Sequence, residues 1–106
     1  MTITATPAPP YYAVIFTSQR TEGDQGYSNM AEKMMKLAVG QAGFIGAESV
    51  RNDEGMGITV SYWHSLEAIE QFKNQPLHGE AQSEGRNRWY REFGLRVCKV
   101  ERDTFL

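Results

Sequence analysis

Four residues near the C-terminal end of the chain, spaced at helical intervals, could take part in chemistry. They are His78, Gln82, Gly85 and Trp89, and a helix turns by about 100° per residue, so they share one narrow stripe. Histidine can take or release a proton near neutral pH. Glutamine can donate or accept a hydrogen bond, and tryptophan offers a flat wall. The stripe therefore predicts a small-molecule site, and packing on a sheet is the alternative explanation.

Further candidate residues come from the predicted elements that precede this stripe. Tyr62 and Trp63 end a strand pattern, Phe72 lies in a short apolar helical stripe, and Phe16 lies in the first strand pattern. We expect Tyr62 to donate a hydrogen bond to a substrate oxygen, as an alternative to Gln82. The aromatic residues Phe16, Trp63, Phe72 and Trp89 would form the walls of a pocket, although core packing explains aromatic side chains equally well.

Several other chemistries lack their residue patterns. The two histidines and the single cysteine have no metal-ligand spacing, so we predict no metal site. No serine or cysteine stands in a nucleophile motif. Gly40, Gly43 and Gly46 recur every third residue, which matches neither a dinucleotide fingerprint nor a phosphate loop. We therefore expect no bound flavin, nicotinamide or other cofactor.

Composition limits the class of protein. The chain has 106 residues, enough for one domain, with 41% hydrophobic and 23% charged residues. Its net charge of -2 argues against general binding to nucleic acid or to a membrane surface. No apolar run is long enough to span a bilayer, and the N-terminus has no signal-peptide pattern. A lone Cys98 in a strand pattern fits a buried, inert thiol and a cytoplasmic location.

Hydrophobic periodicity predicts the order β-α-β-β-α-β after a proline-rich tail at residues 1–10, which we expect to be flexible. A single domain then covers residues 11–106. The predicted strands are Tyr11–Thr17, Phe44–Arg51, Gly57–Trp63 and Phe93–Asp103, and the predicted helices are Asn29–Ala42, Ser65–Asn74 and Pro76–Tyr90. Pro76 splits the second helical region in two, because proline suits the first position of a new helix.

This order is typical of a ferredoxin-like α+β fold, in which helices cover one face of a four-stranded antiparallel sheet. The predicted strands carry large apolar residues on both faces, for example Val14 and Ile15 in the first strand. A monomer would leave one apolar face in water, which is rare among soluble monomers. We therefore predict a two-fold homodimer that packs sheet against sheet.

Two segments carry a family resemblance. The sequence YWHSLEAIEQFKNQPLHGEAQ, followed by GRNRWYREFGLRVCKVER, resembles the antibiotic biosynthesis monooxygenase family, and GFIGAES and GITVSYW fit the same pattern. The resemblance covers residues 11–103 and implies a dimeric α+β barrel. It also implies a cofactor-independent monooxygenase that oxidises an electron-rich aromatic substrate, such as a phenol, a hydroquinone or a polyketide-like compound, with O₂. His78 would be the base.

Two alternatives stay open. One is a non-catalytic dimer that binds a small aromatic molecule, because fold does not imply function. The other is a haem-binding or haem-degrading relative. Members of that branch use a haem-ligating histidine in the last helix, a tryptophan in the helix before it and an asparagine on the first strand. The resemblance places Gln82 at the position of the histidine and Phe72 at the position of the tryptophan, and the first strand here has no asparagine. These departures disfavour haem chemistry, although His78 lies one helical turn before Gln82.

Overall fold

The computed structural model describes residues 3–106; residues 1 and 2 of the predicted tail lie outside the described residues. Its strands are β1 (Tyr11–Arg20), β2 (Phe44–Arg51), β3 (Met56–Trp63) and β4 (Tyr90–Val100). Its helices are α1 (Tyr27–Val39), α2 (Leu66–Lys73) and α3 (Pro76–Glu84), and α3 continues into a π-helical turn at Gly85–Trp89. The ferredoxin-like α+β prediction is confirmed.

All four strands form one antiparallel sheet in the order β2-β3-β1-β4. Side chains alternate between the two faces of a strand, so residues in register share a face. Trp63 pairs with Tyr12 of β1 and with Phe44 of β2 and packs against α2, which identifies this face as the helix-covered face. Tyr62, one residue earlier, lies on the opposite face, which we call the open face.

Several predicted boundaries were wrong. Strand β1 continues to Arg20 rather than Thr17, because Ser18 and Gln19 still pair with β3 and β4. Helix α1 begins at Tyr27 rather than Asn29, and Asp24 accepts a hydrogen bond from the backbone of Ser28 near its start.

The last helix was also predicted too long. It ends at Glu84, and Tyr90 already belongs to β4, where it pairs with Arg20. The intervening π-helical turn brings Gly85 and Trp89 into buried positions. The turn is wider than an α-helical one, so Gly85 and Trp89 do not continue the predicted stripe. Gln82, within α3, is exposed.

The two ends of the chain meet on the open face. The backbone N–H of Thr4 donates to Glu48 Oε2 at 2.8 Å, and the methyl group of Thr4 lies above Gly46. The Tyr11 hydroxyl donates to Asp103 Oδ2 at 2.7 Å and accepts from Thr6. These contacts cover one end of the open face. Cys98, on the same face, is half-buried rather than buried as predicted.

Candidate functional site

Three of the predicted site residues form one aromatic cluster on the helix-covered face, which we call the histidine cluster: Trp63, Phe72 and His78. The ring centroids of Trp63 and Phe72 are 5.1 Å apart, and those of Phe72 and His78 are 4.9 Å apart with the rings edge to face. Trp63 is only 1% exposed. Its Nε1–H donates to Ser61 Oγ at 2.9 Å, so Ser61 belongs beside the cluster.

Local sequence explains why the histidine cluster forms. The hydroxyl of Ser65 accepts a hydrogen bond from the Ala68 N–H and begins α2, as predicted. Gln75 has the extended backbone that a residue before proline prefers, and Pro76 begins α3. The sharp connection between α2 and α3 places His78 directly against Phe72 of the preceding helix.

His78 is the titratable residue of the histidine cluster. Its Nδ1 atom is buried and has no hydrogen-bond partner among residues 3–106. Burial, and to a smaller extent the nearby Lys73 ammonium, lowers the pKa of the imidazole below its usual value. The side chain is therefore neutral near neutral pH, and one of its ring nitrogens stays uncommitted.

Tyr62 does not join the histidine cluster. Its hydroxyl lies on the open face and donates to Glu48 Oε1 at 2.8 Å. Burial, and then the Glu48 carboxylate, raises the pKa of Tyr62 to about 12. Tyr62 is a hydrogen-bond donor that is already engaged, and the sheet separates it from His78. Gln82 is likewise apart, on the exposed surface of α3.

Phe16 and Trp89 belong to a second aromatic group at the other end of the helix-covered face. We call it the tyrosine cluster: Phe16, Tyr27, Trp89, Tyr90 and Phe93. Phe16 packs against Tyr90 and Phe93 with centroid distances of 5.3 and 5.5 Å, and Tyr27 contacts both Trp89 and Tyr90. Trp89 is buried, and its Nε1–H donates to the carbonyl of Gln25.

Sequence reasoning missed Tyr27 and Tyr90. Burial, followed by the neighbouring Tyr27 side chain, raises the pKa of Tyr90. The guanidinium of Arg20 lies 3.7 Å from the Tyr27 ring centroid, and its Nε donates to the Trp89 carbonyl. Tyr90 falls at the end of a helical pattern, and no local signal indicates that it pairs with Tyr27.

An apolar strip separates the two clusters. On the helix-covered face Val14 pairs with Val97 and with Ser61, and Phe16 pairs with Leu95 and Thr59. Leu95 and Val97 of β4 are 51% and 47% exposed even though they are on this face. The helices therefore leave the β4 side open. A contiguous apolar surface of this kind is typical of a ligand or protein contact.

Two cavities lie away from this strip. The larger, about 540 Å³, is a groove between charged loops, and it contains Arg20, Arg51 and Arg91 together with four carboxylates that offset their charge: Glu22, Asp24, Asp53 and Glu54. The smaller, about 240 Å³, lies on the open face beneath the chain ends, between Tyr11, Tyr62 and Phe105. Neither cavity contains His78.

Within residues 3–106, no group of three or more His, Cys, Asp or Glu side chains is placed to hold a metal ion. No helix of that part of the chain is both long enough and apolar enough to cross a lipid bilayer.

Comparison with known proteins identifies a relative. The uncharacterized protein YqjZ of Bacillus subtilis (strain 168) is 50% identical over 100 residues, which cover 94% of this chain and 88% of that protein. The chain belongs to the YqjZ family. No family model matches the sequence.

Solved structures share the fold of this YqjZ-family chain at low identity. SnoaB, a cofactor-independent oxygenase from Streptomyces nogalater, has a TM-score of 0.72 at 14% identity and covers 91% of this chain and 97% of its own. Rv0793 from Mycobacterium tuberculosis has a TM-score of 0.75 at 14% identity, with 89% and 97% covered. A Bacteroides thetaiotaomicron protein described as a "possible oxidoreductase" has a TM-score of 0.72 at 8% identity, with 86% and 98% covered.

Proposed function

We propose that this protein is a cofactor-independent monooxygenase that oxidises an electron-rich phenol, hydroquinone or polyketide-like aromatic compound with O₂. The observation that carries the proposal is the buried, unpartnered Nδ1 of His78 beside the ring of Phe72 in the histidine cluster. The resemblance to the antibiotic biosynthesis monooxygenase family and the fold shared with SnoaB, a cofactor-independent oxygenase, support it.

The substrate itself would supply the electrons. His78 Nδ1 takes the phenol proton, and the resulting phenolate transfers one electron to O₂. The substrate radical and superoxide then combine at a ring-activated methylene carbon, and the peroxide so formed takes up a proton. Loss of water leaves a carbonyl. Overall, a CH₂ group and O₂ give C=O and H₂O, with one oxygen atom in each product.

The protein's own groups would have separate tasks in this reaction. The substrate ring lies on the strip formed by Val14, Leu95 and Val97, between the two aromatic clusters. Aromatic side chains at both ends of the strip restrict the movement of the ring and exclude water. They are Phe72 and Trp63 at one end, and Phe16, with Trp89 behind it, at the other. Ser61 accepts a hydrogen bond from Trp63, so its own O–H is free to donate to the developing oxyanion. Tyr62 and Gln82 have no part, because neither faces the strip.

Oxygen consumption with a panel of hydroquinones and anthrones tests the proposal. His78→Ala should lower kcat by about 100-fold or more, within the range attributed to a positioned acid or base. His64→Ala is the matched control, since His64 is the other histidine and is exposed. Equal activity in both variants would remove His78 from its role, and no oxygen uptake with any compound would count against the reaction.

A second function is favoured by a different observation. The cavity of about 240 Å³ on the open face has no contact with His78 and is lined by Tyr11, Tyr62 and the chain ends. A non-catalytic protein that holds a small aromatic molecule there would bind without consuming oxygen. Binding that is lost in Tyr62→Ala but unchanged in His78→Ala would support this function over the first.

We also propose that the protein acts as a homodimer in the cytoplasm. The open face exposes Val50 (60%), Ile58 (48%) and Met56 (42%), and no helix of residues 3–106 covers it. A second copy packed on this face would remove those apolar side chains from water.

A further inference from the structure

Three aromatic rings line the cavity of about 240 Å³ at the end of the open face where the chain ends meet. Tyr11 of β1 and Tyr62 of β3 supply two of them, with ring centroids 6.1 Å apart and ring planes at 74° to each other. These two rings are therefore adjoining walls at a steep angle and are not stacked. Phe105 supplies the third ring, and the rest of the lining consists of Ile3, Thr4, Thr6 and Glu48.

The charge of this cavity is negative. Hydrogen bonds from the Thr4 N–H and then from the Tyr62 hydroxyl hold the pKa of the Glu48 carboxyl below its usual value, so Glu48 is ionised at neutral pH. Within residues 3–106, no salt bridge involves Glu48, and no lysine, arginine or histidine lines the cavity. The described part of the chain therefore supplies no cation to balance this carboxylate.

The two tyrosine rings are also electron-rich. The Tyr11 hydroxyl donates to Asp103 Oδ2 at 2.7 Å, and the Tyr62 hydroxyl donates to Glu48 Oε1 at 2.8 Å. A phenol that donates its proton to a carboxylate gains partial phenolate character, which makes the faces of its ring more negative. The faces of aromatic rings attract cations, and cages of several such rings recognise quaternary ammonium groups.

The lining favours a cation over other ligands. An anion would be repelled by the Glu48 carboxylate, and an uncharged molecule would leave that carboxylate without a counter-charge. A primary ammonium ion carries three N–H donors that each need an acceptor, whereas both oxygens of Glu48 already accept a hydrogen bond. A methylated ammonium ion needs no acceptor.

Size and access restrict the ligand further. Pockets for drug-sized molecules measure about 300–1,000 Å³, so this smaller cavity suits an ion of few heavy atoms. Ile3 and Phe105, on the outer side of the cavity, are 71% and 56% exposed. A small ion can therefore enter between the chain ends without displacing a strand or a helix.

We infer that this cavity binds a small methylated ammonium ion between the rings of Tyr11, Tyr62 and Phe105, beside the Glu48 carboxylate. The inference rests on the small-molecule binding proposed above for the same cavity, and it gives the ligand a positive charge. It does not depend on the reaction proposed at His78.

Calorimetric titration of the full chain tests the charge of the ligand. The probes are choline and dimethylbutanol, the uncharged carbon analogue of choline, with phenol as an uncharged aromatic compound. Choline should bind at least about tenfold more tightly than either, because only its charge is attracted by the ring faces and by Glu48.

Two variants test the place of binding. Glu48→Gln should weaken choline binding by about tenfold or more and leave dimethylbutanol unchanged, since it removes the charge and nearly preserves the shape. Glu80→Gln, on the exposed surface of α3, is the matched control. Phe105→Ala should weaken choline binding by about threefold or more. Phe105 is exposed and next to the C-terminal residue, so this variant should fold even if Glu48→Gln does not, and circular dichroism checks both.

The outcomes separate the ammonium ion from the binding function on which it rests. If none of the three probes binds, the binding function and the inference are overturned together. If phenol or dimethylbutanol binds as tightly as choline, the binding function stands and the positive charge is wrong. Choline binding that folded Phe105→Ala retains in full would place the ion elsewhere and overturn the inference.

Discussion

His78 lies edge-on to Phe72, with ring centroids 4.9 Å apart, although the two residues belong to different helices. The contact depends on the break between α2 and α3, and it buries one side of the imidazole while Nδ1 stays without a hydrogen-bond partner among residues 3–106. A neutral histidine held against an aromatic ring suits the proton-accepting role that we propose for it.

The titration of His78 should set the pH dependence of activity. It should also contribute to the pH dependence of the free energy of unfolding. Burial lowers its pKa in the folded chain, so the unfolded chain binds its proton more readily. The stability that neutral His78 contributes is therefore fully present above about pH 6.5, the pKa of histidine in the unfolded chain. It is lost as the pH falls through the lower pKa of His78 in the folded chain.

Thermal unfolding and NMR of the histidine ring protons would check this point. The NMR midpoint of His78 should lie below that of an unfolded reference peptide. His78→Gln should weaken the loss of stability between neutral and mildly acidic pH, whereas His64→Gln should leave it unchanged. A His78 midpoint above the reference would contradict the burial argument.

Removing the negative charge of Glu48 should lower the pKa of Tyr62. Burial is the largest cause of its rise to about 12, and the Glu48 carboxylate supplies the hydrogen bond and the charge that add to it. In Glu48→Gln we expect the pKa to move toward 10 without reaching it, because burial remains. NMR of the labelled tyrosine Cζ atoms would follow the titration. Glu80→Gln, an exposed change elsewhere, is the control, and an unchanged Tyr62 would refute the coupling.

Gly43 and Gly79 should respond to alanine in opposite directions. Gly43 has φ of +87°, and a Cβ there would lie 2.7 Å from the Cβ of Ala68 in α2. Gly43→Ala should therefore destabilise the fold by about 1–3 kcal/mol, the usual cost of backbone strain, with steric conflict in addition. Gly79, in α3, has open space where its Cβ would be, so Gly79→Ala should stabilise by roughly 0.5–1 kcal/mol.

Urea unfolding would measure both glycine variants. An equal effect of the two substitutions would contradict both the backbone strain at Gly43 and the close approach of α2. Because α2 carries Phe72, loss of that approach should also reduce any activity that depends on His78.

The hydroxyl of Ser65 should stabilise α2 and, through it, the histidine cluster. It accepts the Ala68 N–H at 3.1 Å, and loss of an N-cap costs about 1 kcal/mol. Ser65→Ala should lower the free energy of unfolding by that amount and shift the tryptophan fluorescence of Trp63. Ser83→Ala, an exposed change within α3, is the control and should be neutral or slightly stabilising. A neutral Ser65→Ala would show that the cap does not support α2.

The element types were predictable because local patterns carry them. β-branched and aromatic runs marked all four strands, Ser65 marked a helix start, and Pro76 marked the division of the second helical region. Boundaries failed where tertiary pairing extended an element beyond its local pattern. Polar Ser18, Gln19 and Arg20 joined β1 because β3 and β4 offered backbone partners.

The candidate site was predictable only in part. Trp63, Phe72 and His78 come together in one cluster, whereas Tyr62 is separated from them by the thickness of the sheet. Strand alternation makes that separation visible in the sequence, but it does not indicate which face the helices cover. The Tyr27–Tyr90 pair joins distant parts of the chain and has no local signature.

By itself, the sequence determined the α+β class, the four strands, the break at Pro76 and the set of aromatic residues available for a site. Short-range forces govern these features: backbone propensity, capping and hydrophobic periodicity. Only the tertiary structure decided which face each aromatic residue occupies. It also decided that His78 keeps a buried nitrogen without a partner among residues 3–106. Glu48 and Arg96 lie on opposite edge strands of the open face for the same reason. Those properties depend on strand register and helix placement, which long-range packing sets.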